Sequence, residues 1–177
     1  MYLIKKIPKL DAVASVYAVI VVMLYYPTIN RFFWNLPSWK LFMSIGDFIS
    51  MYSYAVTVNF LESLLTLIAL LGLSVLLPQK WFYDHFVSRG VSLVIFILGF
   101  FLYLSSKMLP GEPFPLGLIR HAPLFFVVIS ALVFLIDQFV FLRKVMEDIS
   151  DRLVIFLYIS IPVSVGGLVV VFVRNVF

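Results

Sequence analysis

Tyr54–Leu77 reads YAVTVNFLESLLTLIALLGLSVLL. The hydrocarbon layer of a bilayer is roughly 30 Å thick and takes about 20 helical residues, so this run is long and apolar enough to cross it. Yet Asn59 and Glu62 stand inside it. A carboxyl group facing hydrocarbon is costly. These two residues therefore answer to a helix end, to a neighbouring helix, or to a path for an ion or substrate.

The surroundings of this stretch point the same way. The chain has 177 residues, 63% of them hydrophobic and 12% charged. Soluble domains are about half apolar and about a quarter charged, so the charge that a water-exposed surface needs is missing here. Mean hydropathy is +1.11. Several apolar runs approach or exceed the length of a span, and one soluble domain cannot shield them all from water. The net charge is +4. Its Lys and Arg residues stand singly or in short groups between apolar runs, which suits anionic lipid headgroups rather than a phosphate backbone. Direct binding of nucleic acid is not expected. There is no cysteine, which removes disulfides, thiol catalysis and Cys-ligated metal.

Five apolar segments cover residues 10–26, 52–77, 91–109, 122–142 and 153–173. They predict an all-α fold, a polytopic membrane helical bundle of about five transmembrane helices. No loop is large enough to fold alone, so residues 1–177 form a single integral membrane domain. The first segment is read as an uncleaved helix, because no small-residue cleavage site closes it. Tyr25, Tyr26 and Pro27 read as its interfacial border. Beyond it, Pro37 interrupts an aromatic stretch, and Leu41, Phe42, Ile45, Phe48 and Ile49 recur at helical spacing. That pattern predicts an interfacial amphipathic helix over residues 38–50, with Trp34 and Trp39 at the membrane boundary. Trp81, Phe82, Tyr83 and Phe86 make a second aromatic belt. Four prolines and two glycines in Lys107–Pro123 predict a turn-rich cap.

Sidedness follows from the basic residues. Lys5, Lys6, Lys9, Lys80, Arg89, Arg143, Lys144 and Arg152 fall on the N-terminal side, and Arg31, Lys40, Lys107, Arg120 and Arg174 on the other. The excess places the N-terminus inside. Arg143–Arg152 is the densest charge cluster and reads as an exposed loop. Its Arg143, Lys144, Glu147, Asp148, Asp151 and Arg152 are candidate contacts for a partner on the inner side.

The candidate site residues are the polar groups at depth. Steps of four and three place Ala55, Asn59, Glu62, Thr66 and Ala69 on one face of the second segment, predicted to turn toward protein or water. Buried without a cation, Glu62 would stay neutral and tie two helices together; beside a cation or in a wet cleft it could ionise and bind or relay protons. Asp137 and Gln138 interrupt the fourth segment near its inner end, close to Arg143 and Lys144. Glu62 and Asp137 fall at different depths, which disfavours a direct carboxylate pair. In the fifth segment Ser160, Ser164 and Gly167 form a small face, while Pro162 and Gly166 allow a kink or close packing.

No phosphate-binding loop, dinucleotide fingerprint or zinc-protease motif occurs, and no nucleophile elbow. His85 and His121 fall on opposite sides, which excludes a shared metal, and Asp84 beside His85 is a weak acid–base hint. No cofactor is expected. The sequence thus favours a non-enzymatic integral membrane subunit or scaffold that assembles with itself or with another protein, in contact with membrane lipids. The alternative is a small oligomeric transporter or channel using the polar stripe around Glu62. The compact, loop-poor form suggests a prokaryotic plasma membrane.

Overall fold

The protein is an all-α bundle of four to five long apolar helices, consistent with a polytopic membrane protein. Its structure, a computed structural model, describes residues 8–78, 82–107 and 117–176. Helix α1 is Leu10–Trp39, α2 Ile45–Leu76, α3 Phe86–Lys107 and α4 Gly117–Gln138. Helix α5 is Val140–Leu153; one 3₁₀ turn, Val154–Phe156, leads into α6, Leu157–Val176. Helices α1, α2 and α3 and the near-continuous α5–α6 rod are long and apolar enough to cross a membrane. The apolar part of α4, Pro123–Gln138, is shorter.

Helix α1 is the hub. Every residue from Ser15 to Val21 is buried, so this stretch is apolar and enclosed on all sides, as a central membrane helix should be. Val16, Val19 and Ile20 pack with Leu70 of α2, Phe86, Val91 and Val94 of α3, and Phe82. Tyr17, Ala18, Val21 and Tyr25 pack with Val56 of α2 and Leu157 of α6. Close approach depends on glycine at two points. A Cβ on Gly90 would lie 3.3 Å from a Val16 methyl, and one on Gly167 would lie 3.3 Å from the Ser53 carbonyl oxygen. The first lets α3 press on α1; the second lets α6 press on the α2 backbone.

Several boundaries differ from those expected. The first helix does not end at Tyr26 but runs through Pro27 and Pro37 to Trp39. Proline removes a donor, but membrane helices tolerate it when they are packed among neighbouring helices, as α1 is on either side of Pro27 through buried Tyr25 and the Thr28–Asn59 bond. Tyr25, expected at the interface, is buried in the core. The expected interfacial helix over 38–50 is not a separate element. It divides into the end of α1, a turn, and the start of α2. The stop is written in Ser44 and Asp47, which form a capping box: Ser44 Oγ accepts from the Asp47 N–H at 3.3 Å and Asp47 Oδ2 accepts from the Ser44 N–H at 3.2 Å. Reciprocal satisfaction of free N–H groups starts a new helix there.

Helix α3 begins before residue 91, drawing Ser88, Arg89 and Gly90 into the helix. The fourth segment stops at Gln138, because Phe139 is extended, with φ −89° and ψ 107°. The charged stretch Arg143–Arg152 is not a loop but most of α5, an amphipathic helix packed against α1, α3 and α4. Helix α4 packs on α3 and α5, and Phe100 and Phe125 join α3 to α4 with ring centroids 4.1 Å apart. Trp81 and most of the expected proline-rich cap lie outside the described residues.

Candidate functional site

Three sets of polar side chains stand out, at different depths. The first is a seam along α1. Tyr17 and Ser63 hydroxyls meet at 3.2 Å, Tyr25 and Ser164 at 2.7 Å, and Thr28 Oγ1 donates to Asn59 Oδ1 at 3.2 Å. Each bond joins α1 to α2 or α6. In hydrocarbon such groups have no water to fall back on, so they hold the helices in register. Asn59 and Ser164, singled out from the sequence, both belong to this seam. The serine face of α2 that faces it, with Ser53, Ser63 and Ser74 all buried, was not anticipated. Its signal was there to read: small hydroxyl residues recur among Val56 and Leu70 at helical spacing.

The second set is Glu62 and its surroundings. The expected single face is divided. Asn59 turns inward, Thr66 is half-buried, and Glu62 and Ala69 are exposed on the outside of the bundle. The reason is angular: three residues turn a helix by about 300°, so Glu62 sits about 60° round from Asn59. The edge of the α1–α2 contact passes between them. Thr66 Oγ1 donates at 2.8 Å to the Glu62 backbone carbonyl, not to its carboxyl. Among the described residues no donor reaches that carboxyl. Its depth is fixed by its neighbours. Asn59 pairs with Thr28 and Ser63 with Tyr17, so Glu62 lies well inside the span. Around it Val58, Leu61, Leu65 and Ile68 are also exposed, a face dressed for hydrocarbon except at this one position.

The third set sits where the start of α3 meets the end of α4. Arg89 donates from Nε at 2.9 Å, and also from Nη2, to one Asp137 oxygen, Oδ2. Both side chains are more than nine-tenths buried. The guanidinium also lies over the Phe134 ring, 5.0 Å from its centroid, an additional favourable contact for a desolvated cation. The other Asp137 oxygen, Oδ1, has no hydrogen-bond partner among the described residues and lies 4.0 Å from His85 Nδ1. The sequence placed Arg89 in a loop and linked Asp137 to Arg143 and Lys144. The structure joins it instead to Arg89 and brings His85 alongside. Beside this cluster an apolar cavity of about 730 Å³ opens between the ends of α2, α3 and α4, bounded by Leu73, Leu77, Leu93, Ile129 and Phe134.

The remaining candidates are scattered. Gln138 is exposed at the last residue of α4. Pro162 and Gly166 lie on the exposed side of α6, and the helix continues unbroken through both. Nothing lies within 4 Å of a Cβ placed on Gly166, whereas Gly167 is buried against α2. Ser160 lies where α6 turns toward α1, near Tyr25. On α5, Asp151 accepts from Ser15 of α1 at 2.8 Å, and Arg143 and Glu147 lie 4.0 Å apart. Lys144, Asp148 and Arg152 are exposed. His85 belongs to the Arg89–Asp137 cluster; the side chain of His121 lies outside the described residues. Among the described residues no group of three or more His, Asp or Glu side chains is placed to hold a metal ion.

No protein-family model, curated protein or solved structure matches this chain. What geometry and composition establish is a membrane-embedded all-α protein, with its polar groups distributed among an interhelical seam, a buried ion pair and one outward carboxyl.

Proposed function

We propose that the protein is a non-enzymatic membrane subunit that assembles with another transmembrane element through the outer face of α2. One observation carries this: Glu62 stands at depth on the outside of the bundle, and among the described residues nothing is bonded to its carboxyl. An acidic side chain at the centre of a span costs about 2.5–3.5 kcal/mol on insertion scales. Glu is too short to reach the headgroups from there. A second helix laid along Val58, Leu61 and Leu65 would remove that carboxyl from lipid and give it a partner. The exposed charges of α5, Lys144, Asp148 and Arg152 among them, offer the same partner a contact on the side of the N-terminus.

A transport role would require the Asn59–Glu62–Thr66 stripe to line a path. Within one chain Asn59 closes on Thr28 while Glu62 points away from the bundle, which favours assembly over a pore inside the monomer.

The test is chemical access in native membranes. A hydrophobic carbodiimide modifies protonated carboxyls that face lipid. Glu62 is expected to resist it in native membranes and to react after the protein is purified alone into detergent. Rapid modification in native membranes, with the chain migrating as a single copy, would show that nothing covers this face and would overturn the proposal.

A further inference from the structure

We infer that the partner seated on the α2 face is a different protein whose transmembrane segment carries a basic side chain at mid-span, rather than a second copy of this chain. This rests on the assembly proposed above and adds the chemistry of the partner.

A buried carboxyl in a membrane is matched by a cation or a hydrogen-bond donor at its own depth. Two copies inserted in the same orientation share every depth. This chain has no Lys or Arg between Lys40 and Lys80, nor between Arg89 and Lys107, and none from His121 to Leu142 or from Leu153 to Val173. Among the described residues its basic positions, Arg31 apart, lie at or near helix ends. Arg89 is committed to Asp137. Arg31 is the deepest of the others in α1, but it lies one turn beyond Thr28, while Glu62 lies nearly one turn inward of Asn59, the residue that Thr28 contacts. That separates the two by about 9 Å along the membrane normal. Arg31 also donates to Ser105 at 3.0 Å, near the outer end of α3, and a long cationic side chain at such a position reaches toward water and away from the core. A symmetric pair of copies would set Glu62 against Glu62, two like groups that cannot both ionise. Charge complementarity at this depth therefore has to come from another chain. The surrounding Val58, Leu61, Leu65 and Ile68, all at least half exposed, suit the apolar remainder of such a segment.

The test uses the full-length chain in phospholipid vesicles, with labelled synthetic leucine-rich transmembrane peptides bearing Lys, Leu or Glu at the central position. Binding is read by energy transfer from a fluorophore at the C-terminal end of α2. The Lys peptide is expected to bind about tenfold more tightly than the Leu peptide, the equivalent of one good interhelical polar contact. Glu62→Leu should abolish that difference and Glu62→Asp should keep part of it. Equal binding of the Lys and Leu peptides to the unaltered chain would overturn the inference. A parallel measurement mixes two differently labelled populations of the chain itself. Self-association that depends on Glu62 would sink the separate-partner inference while leaving assembly through α2 standing. Carbodiimide modification of Glu62 in native membranes would sink both.

Discussion

Asp137 and Glu62 are both acidic residues on apolar helices, and their surroundings differ completely. Asp137 lies at the C-terminal end of α4, buried, with Arg89 bonded to one oxygen and His85 near the other. Glu62 lies deeper along its helix and faces outward, and among the described residues only its backbone carbonyl accepts a side-chain hydrogen bond. The first carboxylate is matched within the chain and ties α4 to α3. The second has no such match among the described residues. A polar residue in a membrane helix therefore has no fixed meaning; depth and the neighbouring helix decide whether it holds the fold or extends beyond it.

The contrast is sharpest when the inner pair is broken. Asp137→Ala should destabilise the bundle by about 3–5 kcal/mol, because it strands a buried guanidinium. Unfolding in mild detergent, followed by helical circular dichroism, measures this. Replacing both members together, Arg89→Met with Asp137→Leu, should recover most of the loss, since two apolar side chains leave no charge uncompensated. If the double variant is as unstable as the single one, the pair is not what Asp137 contributes.

Helix contacts inside the bundle come next. Gly167→Ala should cost about 1–3 kcal/mol by forcing α6 away from the Ser53 carbonyl, while Gly166→Ala, where a Cβ meets nothing within 4 Å, should be neutral or slightly stabilising. Thermal unfolding of the two variants side by side is the measurement, and equal behaviour would contradict the α2–α6 packing. Tyr25→Phe removes the 2.7 Å bond to Ser164 and should cost about 0.6–1.7 kcal/mol, the span found for interhelical hydrogen bonds in membranes. The smallest effect belongs to the outer carboxyl. Glu62→Leu should shift the stability of the isolated chain by no more than about 0.5 kcal/mol, as for other surface changes. A large loss in the isolated chain would mean that Glu62 serves the fold after all, and the contrast with Asp137 would vanish.

The capping box at Ser44 and Asp47 carries a local signal, a hydroxyl followed three residues later by an acid, but the helix expected over 38–50 runs straight across it. The run through Pro27 was not legible. In water a proline reads as a stop, and only the packing of α1 against its neighbouring helices shows that the helix survives it. Helix α5 was misread as a loop because its charges dominate its composition, whereas the residues that dock it, including buried Ser150, occupy one narrow face. The Arg89–Asp137 pair was out of reach for a different reason: 48 positions separate its members, and no spacing rule connects the start of one helix with the end of the next.

The sequence by itself determined the solvent and that the long apolar runs are helices. Backbone groups surrounded by hydrocarbon can be satisfied only locally, so long apolar runs have to be helices whatever they pack against. Only the tertiary structure decided which side of each helix is inside. Neighbouring faces of α2 carry Asn59 and Glu62 with the same apolar background, and it was the angle at which α1 and α6 lie against α2 that enclosed one and left the other facing out.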